Sequence, residues 1–202
     1  MADTTTINAK DVKDLRDKTG AGMMECKKAL QETGGDVEKA IDWLRAKGAA
    51  KAAKRADKSA NEGVIGNYVH FDGKTAVIVE LNCETDFVAN TDAFKALAKD
   101  LALHIASAAP LAVSPDQLDP AVVEREREIF REQVRAEGKP EHIAGKIVEG
   151  KLQKFYKESA LLAQSFVKDP DKTIEQLITE VSAKTGEKVE VARFARFKVG
   201  ER

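Results

Sequence analysis

The chain has 202 residues, enough for one domain or two, with 33 basic and 34 acidic side chains and a formal net charge of −1. Hydrophobic content of 43% and charged content of 33% describe an ordinary soluble globular protein, and no apolar run approaches the roughly 20 residues that a membrane span needs. A charge so close to zero argues against a general nucleic-acid binder, which needs surplus Lys and Arg facing phosphates.

The stretch from Met1 to Asn8 has no basic end followed by an apolar core, so neither a secretion signal nor a transit peptide is expected. Cys26 and Cys83 form no metal-type spacing with the three histidines and no disulfide framework, which fits a reducing cytoplasm.

Asn8 is placed to cap a first helix carrying Val12 and Leu15 on one face. Thr19-Gly20-Ala21-Gly22 breaks that run, and a second helix from Met23 to Thr33 turns Cys26, Ala29 and Leu30 inward. Gly34-Gly35 stops it. Asp36 caps a third helix with Val37, Ala40, Ile41 and Leu44 at helical spacing until Gly48. Met23 and Met24 are adjacent and cannot both face one core line, so one of them is expected at the surface. An exposed Met suits an adaptable protein-binding surface, although filling core gaps is an equally open reading.

From Ala49 to Ser59 the sequence is rich in Ala and Lys and lacks large apolar residues. Lys47, Lys51, Lys54, Arg55 and Lys58, opposed only by Asp57, read as a solvated linker. The expected division is therefore a three-helix domain over residues 1–48, a basic linker over 49–60 and a core domain over 61–202.

The core opens with a hairpin: Val64–Phe71 and Lys74–Cys83 flank Asp72-Gly73, a strong short-range hairpin signal. A two-residue turn sets Tyr68 opposite Val77. One face holds Val64, Tyr68, Val77, Val79 and Leu81, the other Ile65, Val69, Ala76 and Ile78. Both carry apolar residues, so one is expected under helices and the other under a partner. Asp92 is expected to cap the next helix, with Phe94, Leu97, Ala98, Leu101 and Ile105 inside, up to Pro110. A densely charged helix starts at Asp119-Pro120 and another after Lys139-Pro140. Thr173-x-x-Gln176 resembles a capping box for the last helix. Residues 188–199 alternate cleanly, with Val189, Val191, Ala195, Phe197 and Val199 on the side expected to be buried. The fold class is α+β: a small helical bundle, then helices packed on a small antiparallel sheet.

Between the hairpin and the following helix lies Cys83-Glu84-Thr85-Asp86-Phe87-Val88-Ala89-Asn90, a loop with a large aromatic in its middle. Phe87 either tucks back into the core or meets a partner, and the residues alone leave both open. No P-loop or Gly-rich dinucleotide turn is present. Cys83 and His70 share the hairpin without any cue pairing them, His104 reads as a satisfied structural histidine, and His142 as an exposed one. No cofactor or metal site is expected, and a protein-binding module is favoured over an enzyme.

Three stretches together resemble the bacterial translation elongation factor Ts family. They are Val12-Lys-Asp-Leu-Arg-Asp-Lys-Thr-Gly-Ala-Gly-Met-Met-Glu-Cys-Lys-Lys-Ala-Leu30 with Gly-Asp-Val-Glu-Lys-Ala-Ile-Asp-Trp-Leu-Arg45 after it; Asn82-Cys-Glu-Thr-Asp-Phe-Val88; and Phe166-Val-Lys-Asp-Pro-Asp-Lys-Thr-Ile-Glu-Gln-Leu177 with Val191 to Gly200. The resemblance implies a ubiquitin-associated-like three-helix domain and a core that grips elongation factor Tu, a GTPase, to promote GDP release. It implies that Thr85, Asp86, Phe87 and Val88 form the contact motif, with Phe87 wedging near the partner's magnesium site. It also places Leu15, Met23 and Met24 on a second, exposed contact, and His70 on a third.

Long members of the family carry two related core subdomains, a coiled-coil insertion and a C-terminal module. This sequence has one hairpin-plus-helix core, so the short form is implied, in which two chains supply the doubled core as a homodimer, without a disulfide. The competing reading is a non-catalytic scaffold whose helical domain recognises ubiquitin-like folds while the core only dimerises.

Overall fold

A computed structural model describes residues 7–201. The chain divides into two compact units, each assembled from separate stretches. The first comprises the residues up to Gly63, Asn82–Phe94 and Leu177–Glu190; the second comprises Val64–Leu81, Lys95–Gln176 and the residues from Val191.

The first unit is built on α1 (Ala9–Thr19), α2 (Met23–Glu32) and α3 (Val37–Ala53). Local chemistry sets their ends. The Asn8 side chain accepts the Asp11 N–H at 2.8 Å, the Asp36 side chain accepts the Lys39 N–H at 3.1 Å, and Gly20 ends α1 in the left-handed region at φ 66°. Val12, Leu15, Cys26, Ala29, Leu30 and Ala40 form the core of this bundle, with Trp43 and Leu44 packed against it.

Gly48 does not stop α3. It is buried in mid-helix, where a Cβ would lie 3.2 Å from the Ala183 Cβ, so its smallness serves packing against a later helix, α8 (Ile174–Thr185). The basic residues around it are not simply solvated either. Lys51 is hydrogen-bonded to Glu25, Lys47 stands 3.6 Å from the same carboxylate, and Arg55 bonds both oxygens of Glu84 at 2.9 Å. The hydrogen-bonded Lys51 ammonium, helped by Lys47, holds the Glu25 carboxyl below its usual range against the opposing effect of partial burial.

The second unit carries most of a three-stranded sheet ordered β1 (Glu62–Val69), β2 (Thr75–Cys83), β5 (Val189–Lys198), with α5 (Asp92–Ala108) on one face. Close approach of β1 to that helix is permitted at Gly66, where a Cβ would sit 2.5 Å from the Ala98 carbonyl oxygen. On β5, the Arg196 Nε donates to the Ala106 carbonyl at 3.4 Å. The hairpin turn is longer than two residues: His70 N–H donates to the Thr75 carbonyl and Gly73 N–H to the His70 carbonyl, so Phe71–Lys74 make the loop, with Gly73 at φ 69°.

Among the described residues, only one sheet face is covered. Val77, Val79 and Leu81 are buried, whereas Ile65, Val69 and Ile78 are 61%, 65% and 52% exposed. The even alternation expected of β5 breaks as well. Val189 and Val191 are buried, Ala192 and Arg193 are both exposed, and Arg196 rather than Phe197 then turns toward α5. Phe197 and Val199 consequently lie on the open face, 68% and 73% exposed, because the buried phase shifts by one residue.

The cap of α5 is Thr91, whose hydroxyl oxygen accepts the Phe94 N–H at 3.3 Å; Asp92, expected to be the cap, is the first helical residue. Helices α6 (Pro120–Ala136) and α7 (Glu141–Ser159) pack together through Val134, Val148 and Leu152, with Val123, Phe130, Ile147 and Tyr156 alongside. The charged face of α6 is laced by Arg127–Glu124, Arg131–Glu124 and Arg131–Glu128 ion pairs. A two-stranded hairpin, β3 (Ser165–Phe166) with β4 (Asp169–Thr173), precedes α8. At its end the Thr173–Gln176 capping box forms as expected, with bonds of 2.9 and 3.2 Å.

His104 of α5 is fully buried: Nδ1 accepts the Val167 N–H at 3.3 Å and Nε2 donates to the Gln164 Oε1 at 2.9 Å. Burial pushes its pKa below the ordinary 6.5, outweighing the bond to Gln164. Protonation would set a ring N–H against the Val167 N–H. Below the unfolded value the unfolded chain binds more protons than the folded one, so stability is expected to fall as pH drops through about 6.5 toward the depressed folded value. Denaturation midpoints measured from pH 8 to pH 5 should show this fall, and His104→Gln should flatten the slope whatever its absolute stability.

Candidate functional site

The residues after β2 form a single helical turn, not a loop. This turn, α4 (Asp86–Ala89), belongs to the first unit. Thr85 is its N-cap, extended at φ −131°, ψ 153°, with its hydroxyl oxygen accepting the Val88 N–H at 3.4 Å. Behind the turn, Asn90 N–H and the Asn90 side-chain amide both donate to the Asp86 carbonyl, and Thr91 donates twice to the Val88 carbonyl.

Ala89 is the buried residue of α4. A helix advances about 100° per residue, so Phe87, two positions earlier, points to roughly the opposite side. It is 83% exposed, Asp86 beside it is exposed in the first turn, and Val88 is half-buried. The reading in which Phe87 tucks into the core is thereby excluded. An aromatic ring held in water on a braced turn loses hydrophobic free energy that only contact with another surface restores.

The brace comes from distant sequence. Glu187 accepts the Glu84 N–H at 3.1 Å and the Thr85 N–H at 3.0 Å on one carboxylate oxygen, and the Thr85 hydroxyl at 2.6 Å on the other. In return the Glu84 carboxylate accepts the Lys188 N–H at 2.6 Å as well as Arg55. The buried Cys83 thiol donates to the Thr85 carbonyl at 3.1 Å. Burial pushes that thiol above its ordinary value and the Glu187 charge pushes it further, so at neutral pH it is a protonated structural thiol rather than a nucleophile.

Of the other expected contact residues, Met23 and Met24 are both exposed, at 44% and 74%, beside the Gly20–Gly22 turn. Leu15 is not on that surface. It is completely buried, because the inner face of α1 must pack on Cys26 and Leu30 to give three short helices any core. In the second unit His70 is half-buried at the hairpin loop, its Nδ1 2.9 Å from the Tyr68 hydroxyl and its ring 4.4 Å from that of Phe71, which is 93% exposed. Among the described residues no group of three or more His, Cys, Asp or Glu could hold a metal, and no helix is long and apolar enough to cross a membrane.

Compared with known proteins, residues 4–201 match the family described as Elongation factor TS. The chain belongs to the elongation factor Ts family. Elongation factor Ts of Nitratidesulfovibrio vulgaris is 55% identical over 194 residues, covering 96% of this chain and 97% of that protein. The elongation factor Ts proteins of Thermosipho melanesiensis and Geotalea daltonii are 54% and 52% identical, each aligned over at least 96% of this chain and 91% of their own length. Within this elongation factor Ts fold, Glu187 and Arg55 were invisible as site residues, since they stand 102 and 29 positions from the groups they bind. The one local signal is Gly186, at φ 74°, which reverses the chain just before Glu187.

Proposed function

We propose that this chain is a guanine-nucleotide exchange factor for elongation factor Tu in translation elongation. The observation that carries the reading is Phe87, 83% exposed on a braced one-turn helix in a chain of the elongation factor Ts family. Thr85, Asp86, Phe87 and Val88 make the principal contact, Met23 and Met24 a second, and His70 with its aromatic neighbours a third.

Exchange of this kind makes and breaks no covalent bond. The factor binds the nucleotide-free GTPase more tightly than the GDP-bound form, and linkage then obliges GDP to bind the complex correspondingly more weakly. A ring driven toward the partner's Mg²⁺ is suited to that task. Magnesium demands near-ideal octahedral oxygen geometry, so a small displacement of its ligands loosens its hold on the phosphates. GTP can then occupy the vacated site. The two free cysteines suit action in a reducing cytoplasm.

The deciding experiment is release of fluorescent GDP from elongation factor Tu with the chain present at a small fraction of the GTPase concentration. Many GDP molecules released per chain support the reading. Stoichiometric binding without acceleration would leave a non-catalytic scaffold instead.

Two chains are proposed to pair through the open sheet face. The Val199 N–H bond to the Lys74 carbonyl at 2.9 Å and the Arg193–Glu80 ion pair at 2.7 Å align β5 antiparallel to β2, which sets Phe197 beside Ala76 on the face of Ile65, Val69 and Ile78. A self-complementary patch of this kind closes with a second copy in twofold symmetry. Light scattering is expected to give twice the chain mass, and Ile78→Asp to give the single mass with an unchanged helical spectrum. A monomeric wild-type chain at high concentration would remove the pairing.

A further inference from the structure

We propose that Glu187 is the positioning residue of the exchange contact, acting on Phe87 through Thr85; this rests on the reading of Phe87 given above. A helix of four residues does not sustain itself, because nucleation of a single turn is unfavourable. Phe87, 83% exposed, gains little direction from packing of its own side chain. The aim of the ring is therefore decided by how the entrance of α4 is held.

Glu187 holds that entrance at three points. One carboxylate oxygen gathers the N–H groups of Glu84 and Thr85, which fixes the peptide plane leading into the turn. The other takes the Thr85 hydroxyl proton at 2.6 Å. A hydroxyl has one proton and two lone pairs, so committing the proton to Glu187 leaves the oxygen as an acceptor toward the Val88 N–H. Glu187 thus sets the rotor that caps α4.

Glu187 is itself prepared for this. Gly186 turns the chain at φ 74°, the Glu187 N–H donates to the Thr185 hydroxyl oxygen at 3.4 Å, and the Ser182 hydroxyl donates to the Glu187 carbonyl at 2.5 Å. The bonding is also reciprocal, since Lys188 N–H donates to Glu84 while Glu187 accepts from Glu84 N–H. Two strands of chain more than 100 residues apart in sequence clasp each other at this one turn.

Release of fluorescent GDP from elongation factor Tu, followed over a range of factor concentration, tests the assignment with this chain and five variants. Glu187→Ala is expected to lower the saturating release rate roughly tenfold, the loss that follows when a contact group is misaimed rather than removed. Glu187→Gln should recover most of it: its carbonyl can accept both N–H groups while its amide donates to the Thr85 hydroxyl oxygen. Phe87→Ala combined with Glu187→Ala should be no slower than Phe87→Ala alone, because a misaimed ring and an absent ring fail at the same step. Amide exchange at Thr85 and Val88 should quicken in Glu187→Ala without a general loss of protection.

Should Glu187→Ala not fold, Thr85→Val, which removes the hydroxyl with its bonds to Glu187 and to the Val88 N–H but leaves Glu187 its two N–H groups, is expected to slow release in the same direction. A slow Phe87→Ala beside a Glu187→Ala or Thr85→Val at wild-type rate would overturn the positioning role and leave the exchange contact standing. Two defects that multiply in the double variant would overturn it as well. A Phe87→Ala that releases GDP at the wild-type rate would instead remove the contact reading, and the positioning role with it.

Discussion

Phe87→Ala is expected to slow factor-promoted GDP release from elongation factor Tu by about 10²-fold, a loss of roughly 2–3 kcal/mol, as for a buried aromatic hot spot. The fold should not notice. With 83% of the residue in water, truncation opens no cavity, and the unfolding midpoint should stay within the roughly 0.5 kcal/mol typical of surface substitutions. The way the loss divides is informative. A ring that engages only once the magnesium site is disturbed lowers the saturating rate, whereas a ring that anchors every complex equally raises the half-saturating concentration and leaves the saturating rate alone. The wedge predicts the first. Wild-type release by Phe87→Ala at every factor concentration would sink the assignment, and a pure shift in half-saturation would reduce Phe87 to an anchor.

That contact was legible in the sequence as a place but not as a geometry. The features that could be read were local: Asn8, Asp36 and the Thr173–Gln176 pair announce helix starts within three residues of the groups they bond. Hydrophobic spacing likewise located the cores at Leu30 and Leu101, both fully buried. Where two caps compete, composition misleads. Asp92 looked like the cap of α5, but Thr91 is the residue with its oxygen at the Phe94 N–H. Gly48 reads as a stop because glycine often ends helices, yet its reason for being small is Ala183, 135 positions away.

The same limit explains Leu15 and Phe197. A family likeness can match a position without saying which way it points, and Leu15 points into the core of its own three helices. Alternation on β5 is real at both ends but changes phase at Ala192–Arg193, which periodicity alone cannot reveal. The brace under Phe87 is the extreme case. Glu187 meets Thr85 across 102 residues, and no pattern on either side encodes the other.

Gly66→Ala is expected to destabilise the chain by roughly 1–3 kcal/mol, the usual cost of forcing extra volume into a packed contact. Glycine to alanine in a strand would ordinarily help, since it reduces the freedom of the unfolded chain by about 0.4–1 kcal/mol. Gly66 also lies outside the positive-φ region, so its backbone places no bar on a side chain. The bar is purely steric: the new Cβ would meet the Ala98 carbonyl oxygen at 2.5 Å, its carbon at 2.8 Å and the Ala98 Cβ at 3.0 Å. Two of those three atoms are main chain inside α5, which cannot swing aside as a flexible side chain does. A guanidinium titration should therefore show a lowered midpoint. Pairing the change with Ala98→Gly should not restore it, since that removes the 3.0 Å contact and leaves the two shorter ones. Recovery in the double variant would mean that α5 yields at its backbone and that the close approach of β1 is a matter of side-chain volume alone.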